Sequence, residues 1–146
     1  MKKSVRLRPV RDIKQQQERT EARKLADLQQ QLQLARRQCD ELQGYLKEYF
    51  NAISSQRQHV HHASQLALYQ AFVTRLQQAI QQQQQLIRQR EMAVQAQSKR
   101  WVAASERLRT MDDLIARTQA QEALEADKKE QKILDDRPFR SYSGFD

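Results

Sequence analysis

Residues 25–53 read LADLQQQLQLARRQCDELQGYLKEYFNAI, and this stretch decides the fold. Its apolar side chains recur at alternating intervals of three and four residues, without a break over four heptads. Such spacing places one stripe of side chains along an α-helix, at the a and d positions of a coiled-coil repeat. The stripe consists of Leu25, Leu28, Leu32, Ala35, Cys39, Leu42, Leu46, Tyr49 and Ile53. The stretch therefore predicts a long helix that packs against another helix.

A second stripe begins at Leu66 and repeats every seven residues over eight heptads. Its a positions are apolar throughout, and they are Leu66, Val73, Ile80, Ile87, Val94, Trp101, Leu108 and Ile115. Its d positions are polar in the middle, and they are Tyr69, Leu76, Gln83, Arg90, Gln97, Ala104, Met111 and Thr118. A strict seven-residue repeat predicts left-handed supercoiling with a partner helix.

The polar segment 54–65 separates the two stripes, and the heptad phase is not carried across it. We interpret this segment as the turn of a helical hairpin. Folding back pairs Ile53 with Leu66 and Leu25 with Val94, so the numbers of paired residues add to about 119. At roughly 1.5 Å per residue, the paired rod is expected to be roughly 60–80 Å long.

The predicted fold class is therefore all-α, a long antiparallel two-helix coiled coil in which the second helix is the longer. We expect one coiled-coil domain over residues 1–146. Its parts are expected to be helix 1 at about 5–55, a turn at about 56–63, helix 2 at about 64–136 and a flexible tail at 137–146. Beyond about residue 118 the second helix should have no partner in its own chain and should project alone.

The composition of the chain excludes most other protein classes. From Val10 to Arg137 there is no proline and a single glycine, Gly44, whereas sheets and Gly-rich catalytic loops need such turn residues. No run reaches the roughly 20 apolar residues of a membrane span, and no signal-peptide core is found. We therefore expect a protein that is not an enzyme and that acts by binding.

Few residues could carry chemistry. His59, His61 and His62 could chelate a metal, but they lack cysteine or carboxylate neighbours, and zinc sites need four converging ligands. We interpret them as polar turn residues. Cys39, the single cysteine, occupies an a position as a small buried hydrophobe, which fits a reducing cytosol. We expect no catalytic residue, metal or cofactor, because a two-helix rod offers no pocket.

The net charge of +8 is unevenly distributed. Residues 1–24 carry nine Lys/Arg against three acids, whereas residues 122–136 carry six acids against three Lys. Such runs indicate either a solvated helix surface or a charged contact at the open end of the hairpin. A basic arm before heptads also suggests a basic-zipper DNA binder, but the d positions of helix 1 are not a leucine zipper and a second, longer stripe follows. Binding of nucleic acid without sequence readout stays an alternative function.

The aromatic residues are concentrated near the predicted turn. Five of the nine lie there, namely Tyr45, Tyr49, Phe50, Tyr69 and Phe72. Tyr49 and Tyr69 occupy d positions, whereas Tyr45 and Phe72 occupy g positions beside the stripe. Together with Leu42, Leu76 and Ala79 they form an apolar surface wider than a two-stranded coiled coil requires. Such a surface favours a partner site, and the alternative is additional packing between the helices near the turn.

The same residues carry a resemblance to the flagellar export protein FliJ family. It rests on Leu42-Gln-Gly-Tyr45-Leu-Lys-Glu-Tyr49 and on Leu68-Tyr69-Gln70-Ala-Phe72-Val-Thr-Arg-Leu76-Gln-Gln-Ala79-Ile80. Trp101, the Arg107 and Arg117 region and the ending Glu130-Gln131-Lys132-Ile-Leu-Asp135-Asp136 add to it. The order and spacing of these motifs cover nearly the whole chain.

The resemblance implies a non-enzymatic, cytoplasmic component of the flagellar type III export apparatus, peripherally associated with the inner membrane. Its implied partners are the hexameric export ATPase, the cytoplasmic domain of the membrane export-gate protein and the flagellar export chaperones. The implied gate-binding residues are Gln38, Leu42, Tyr45, Tyr49, Phe72, Leu76 and Ala79. At the next position of the pattern, where the family has His, this chain has Gln83, which puts that one contact in doubt.

The charged runs suggest where the ATPase would be contacted. We expect the ring contact to involve Arg19, Arg23, Lys24, Glu130 and Lys132, beside or within the unpaired region. A related function is the stalk protein of virulence type III secretion, which resembles the family in coiled-coil shape. The tyrosine motif and the Tyr69-Gln-Ala-Phe72 motif favour the flagellar system.

Overall fold

The computed structural model describes residues 1–56 and 63–137. They form two α-helices, α1 (Lys3–Gln56) and α2 (Ala63–Asp136), and no strand occurs in these two ranges. Each helix boundary lies within two residues of the predicted one. The all-α prediction, with the second helix longer than the first, is confirmed. The three histidines of the predicted turn and the tail 138–146 lie outside the described residues.

The two helices contribute to two compact units. Unit 1 contains residues 1–20 and the chain from residue 102 onward, and unit 2 contains residues 21–101. In each unit a segment of α1 packs antiparallel against a segment of α2. The expectation of one coiled-coil domain stays a prediction.

Unit 2 is held together by the apolar seam. Its buried hydrophobic residues, Leu32, Ala35, Cys39 and Ile80, all occupy predicted a or d positions. Interhelical contacts join Tyr49 to Tyr69, whose rings are 5.7 Å apart. The numbers of this pair add to 118, close to the predicted sum of about 119. The antiparallel hairpin is therefore confirmed, and Cys39 is the buried small side chain that its a position predicts.

Two glutamine layers interrupt the apolar seam of unit 2. The Gln83 side-chain amide donates to the Ala35 carbonyl at 3.0 Å, and the buried Gln97 amide donates to the Glu21 carbonyl at 3.1 Å and to the Glu21 carboxylate. Each layer is satisfied by hydrogen bonds, so the cost of burying an amide is offset. Such layers specify which residues face each other, at some cost in stability.

In unit 1 the seam of α1 continues with polar residues. The three-and-four alternation extends back from Leu25 through Glu21, Glu18, Lys14, Arg11, Leu7 and Ser4, all of which are at least partly buried. The buried residues that face it on α2 include Ala104 and Thr118. The basic run at residues 1–24 is therefore part of the helix pair of the coiled coil.

The pairing of α1 with α2 extends further along α2 than predicted. Ser4, at the start of α1, forms hydrogen bonds with Glu122 of α2. The prediction ended the pairing near residue 118 because it used the register of the apolar layers. In unit 1 polar side chains also join the helices, and they reach residues further along α2 than the apolar layers would pair. Neither α1 nor α2 offers an apolar stretch long enough to serve as a transmembrane segment.

Candidate partner-binding site

The seven predicted gate-binding residues all lie in unit 2, on one flank of the helix pair. Heptad counting places three of them at d (Leu42, Tyr49 and Leu76) and four at g (Gln38, Tyr45, Phe72 and Ala79). In antiparallel pairs the g positions of the two helices border the same flank. Among the described residues, Tyr49 of α1 contacts Phe72 of α2, and the role of the seven residues in gate binding stays a prediction. We call these seven residues the aromatic stripe.

The aromatic rings in this stripe are in direct contact. The Tyr49 ring centroid lies 4.6 Å from that of Phe72, and Tyr49 also meets Tyr69 edge to face. Yet 48% of Phe72 and 57% of Tyr45 remain exposed. Phe72 is therefore packed on one side and accessible on the other, as an interface anchor would be.

Gln83 ends this stripe on α2. Its Nε2 donates to the Gln38 side-chain oxygen at 3.2 Å as well as to the Ala35 carbonyl. The residue that stands where the family has His is therefore tied to α1, and its amide is already used by that helix. The hydrogen bond between the Gln83 and Gln38 side chains also holds Gln38 at the margin of the aromatic stripe.

Tyr49 carries a hydroxyl group within the aromatic stripe. Burial raises the pKa of the Tyr49 hydroxyl, and the neighbouring Tyr69 adds to the shift. The shift favours the protonated form, so the Tyr49 hydroxyl can serve as a hydrogen-bond donor to a partner.

An apolar groove lies at the same end of unit 2 as the aromatic stripe, on the opposite flank of the helix pair. It was not predicted from the sequence. It is lined by Phe50, Ile53, Leu66, Tyr69 and Val73, with polar residues at its margin. Leu66, an a residue by its spacing, is 52% exposed, and Leu68 is 71% exposed. The signal in the sequence was the placement of Phe50 at an e position, next to the seam and opposite to the g flank.

Unit 1 contains a polar latch that sequence reasoning also missed. The Ser4 backbone amide and hydroxyl both donate to the Glu122 carboxylate, at 3.0 and 2.7 Å. Because α1 begins at Lys3, this carboxylate satisfies donors of the first turn of α1, as an N-cap side chain would. The amide and hydroxyl bonds from Ser4 lower the pKa of Glu122, with a smaller contribution from Lys2.

An ion pair also joins the helices of unit 1. The Arg11 Nε donates to the Asp112 carboxylate at 2.8 Å, and Arg11 also donates to Gln15. This bond raises the pKa of the Arg11 guanidinium. Arg11 occupies an a position, so a charged side chain takes the place of an apolar one in the seam.

The five predicted ATPase-contact residues are all exposed. Arg19, Glu130 and Lys132 belong to unit 1, whereas Arg23 and Lys24 belong to unit 2. The placement of the α1 residues beside an unpaired region was wrong. Glu21, between them, is bonded to Gln97 of α2, because the seam of α1 continues through this segment. Glu130 and Lys132 lie past Glu122 on α2, and their role as a contact stays a prediction.

No group of three potential metal ligands occurs in the part of the chain that the structure describes. The three histidines lie outside that part, so their interpretation as turn residues stays a prediction.

Comparison with known proteins agrees with this arrangement of helices. The family model described as "Flagellar FliJ protein" matches residues 1–144 of the chain. Comparisons with curated proteins and with solved structures gave no match. The match covers both helices and the aromatic stripe, and the chain therefore belongs to the flagellar FliJ protein family, a component of the flagellar export apparatus.

Proposed function

We propose that this protein is a non-enzymatic stalk of the flagellar type III export apparatus. It binds and stimulates the hexameric export ATPase, links that ATPase to the membrane export gate, and takes part in handling export chaperones. In this role it works in the cytoplasm, peripherally associated with the inner membrane. The family match supports the flagellar system over the virulence system.

The observation that carries the gate contact is the exposed half of the aromatic stripe. Phe72 presents about half of its surface to solvent although it contacts Tyr49 of the seam, and Tyr45 is 57% exposed. Covering such rings removes apolar surface from water at about 25 cal/mol per Å². The surrounding apolar residues would exclude water from the contact, which is how a few aromatic anchors come to dominate binding energy.

The proposed coupling needs no chemistry in the stalk itself. A protein that binds one state of the ATPase and one state of the gate better than the others shifts both equilibria. By linkage, occupancy of one partner then changes the affinity for the other. The polar layers at Gln83 and Gln97 would keep the helices in one register while force or binding energy passes along them.

The test is the double variant Phe72→Ala with Leu76→Ala. We expect it to weaken binding to the cytoplasmic domain of the gate protein by about 2 kcal/mol or more, because two neighbouring anchors are removed. Stimulation of the ATPase should stay near normal, because that contact is assigned to other residues. Isothermal titration calorimetry and a steady-state ATPase assay measure the two effects.

The matched control is Leu34→Ala with Leu68→Ala, which truncates two apolar residues that are 53% and 71% exposed at c positions outside the stripe. It should bind the gate domain like the parent protein. Thermal melts by circular dichroism accompany every variant. If Phe72→Ala/Leu76→Ala loses gate-domain binding, ATPase stimulation and helicity together, Phe72 and Leu76 have a purely structural role.

A further inference from the structure

The two flanks of the unit 2 helix pair differ in charge. On the e flank, Arg36 of α1 pairs with Glu91 of α2 at 3.2 Å, so a cation and an anion neutralise each other within the chain. On the g flank, heptad counting finds no acidic residue on either helix between residues 21 and 101. The g positions of α1 are Lys24, Gln31, Gln38, Tyr45 and Ala52. Those of α2 are Gln65, Phe72, Ala79, Leu86, Ala93 and Arg100.

The g flank changes character along its length. From Phe72 to Ala93 the α2 side is entirely apolar, and its α1 side is neutral between Gln31 and Tyr45. Lys24 and Arg100 then bring two cations to its other end. Phe72 and Arg100 are 28 residues apart on one helix, so the flank extends over roughly 42 Å at 1.5 Å per residue.

The two cations have no counter-charge of their own. Lys24 and Arg100 are exposed, and neither forms an ion pair with any residue in the ranges 1–56 and 63–137. Of the nearby carboxylates, Glu21 accepts the Gln97 amide, and Asp27 forms no ion pair within the same ranges. A protein surface with two such cations towards one end of an apolar strip is complementary to an acidic, partly apolar partner.

We infer that the whole g flank of unit 2 is one continuous docking surface for a protein that presents apolar side chains to the aromatic stripe and carboxylates to Lys24 and Arg100. The inference rests on the proposed gate contact, which it extends beyond the aromatic stripe. It also moves Lys24 from the ATPase contact to the gate contact. A nucleic acid fits this flank less well, because its phosphates repeat along the strand and would need cations along the whole flank. The g positions from Gln31 to Tyr45 on α1 and from Phe72 to Ala93 on α2 carry no cation.

The test compares two double charge reversals. Lys24→Glu with Arg100→Glu reverses both cations of the g flank. Arg37→Glu with Lys99→Glu reverses two exposed cations at f positions and changes the net charge by the same amount. Binding to the cytoplasmic domain of the gate protein is measured by calorimetry at low and high salt, alongside Phe72→Ala/Leu76→Ala and a labelled DNA duplex.

We expect the g-flank reversal to weaken gate-domain binding by about tenfold at low salt, with the loss shrinking at high salt as the charges are screened. The f-position reversal should stay within about twofold of the parent protein, because its side chains point away from the flank. Both variants should retain the helicity and melting temperature of the parent protein, because neither pair contacts the seam.

The outcomes separate the two proposals. If Phe72→Ala/Leu76→Ala loses binding but the two charge reversals behave alike, the docking surface ends at the aromatic stripe and the inference is overturned, while the proposed function stands. If Phe72→Ala/Leu76→Ala binds normally, the gate contact is wrong and the inference fails with it. If the g-flank reversal impairs duplex binding but not gate-domain binding, the cations serve nucleic acid and the inference is likewise overturned.

Discussion

Glu122 shows how one side chain can serve a distant part of the sequence. It lies 118 positions from Ser4, yet its carboxylate accepts both the Ser4 amide and the Ser4 hydroxyl. The first-turn amides of a helix have no partner within the helix, so a carboxylate placed there stabilises the helix start twice, by hydrogen bonds and by favourable interaction with the helix dipole. The start of α1 therefore depends on α2.

The pKa of Glu122 gives this latch a pH dependence. Because the Ser4 bonds lower the pKa in the folded state, the stabilisation is fully present above the unfolded-state pKa of the carboxyl. It is lost as the pH falls through the lower, folded-state pKa. We expect Glu122→Gln to speed hydrogen exchange of the first turns of α1 at pH 7, and the difference from the parent protein to disappear in acid.

Glu125→Gln is the control, because Glu125 is exposed and lies about one helical turn from Glu122. This substitution removes the same charge as Glu122→Gln. Exchange measured by mass spectrometry on peptides from residues 1–20 reports the effect. Equal protection in the Glu122→Gln and parent proteins at neutral pH would show that the carboxylate does not hold the start of α1.

Between α1 and α2, small side chains set how closely the helices approach. Ala35 is 3% exposed, and its carbonyl receives the Gln83 amide at 3.0 Å. A d position filled by alanine leaves room for the glutamine of the facing helix. The close approach and the polar layer at Gln83 therefore depend on each other.

Enlarging this layer tests the interdependence. Ala35→Leu would follow the usual preference of d positions, yet we expect it to destabilise the protein by about 1–3 kcal/mol because the site is already filled. The expected loss of the Gln83 bonds adds to that cost. Urea unfolding followed by circular dichroism measures it.

Gln30→Leu, at an exposed f position of the same helix, is the control and should change stability by less than about 0.5 kcal/mol. An Ala35→Leu protein more stable than the parent would mean that the helices separate easily at this layer and that Gln83 contributes little to it.

Across the whole molecule, the two units differ in the interactions that join their helices. Unit 2 buries Leu32, Cys39 and Ile80 at its interface, whereas the joining bonds of unit 1 include Ser4–Glu122 and Arg11–Asp112. Exposed ion pairs are screened by salt, whereas apolar burial is not weakened by it.

We therefore expect sodium chloride near 1 M to speed amide exchange in residues 4–20 and to leave residues 32–39 protected. Hydrogen exchange by mass spectrometry at two salt concentrations and constant pH measures both segments. Sodium sulfate, which strengthens apolar burial, serves as the comparison for unit 2. If sodium chloride accelerates amide exchange equally in both segments, the helices of the two units are not joined by different kinds of interaction.

The helices, their antiparallel direction and the aromatic stripe can all be predicted from the spacing of the residues. Apolar residues repeating every three and four positions specify a helix face, and one break in phase at 54–65 specifies where the chain reverses. The g and d placement of Tyr45, Tyr49 and Phe72 follows from counting alone, because a helix has a constant number of residues per turn.

Only the tertiary structure decided the pairing of unit 1 and the polar contacts. Ser4, Arg11 and Glu18 carry no apolar signal, so their seam positions become visible when α2 lies against them. The choice of Glu122 for Ser4, or of Asp112 for Arg11, depends on which of several neighbouring carboxylates comes within about 3 Å. A periodic pattern specifies which face is buried, whereas hydrogen-bond partners depend on distances that arise only after the faces have met.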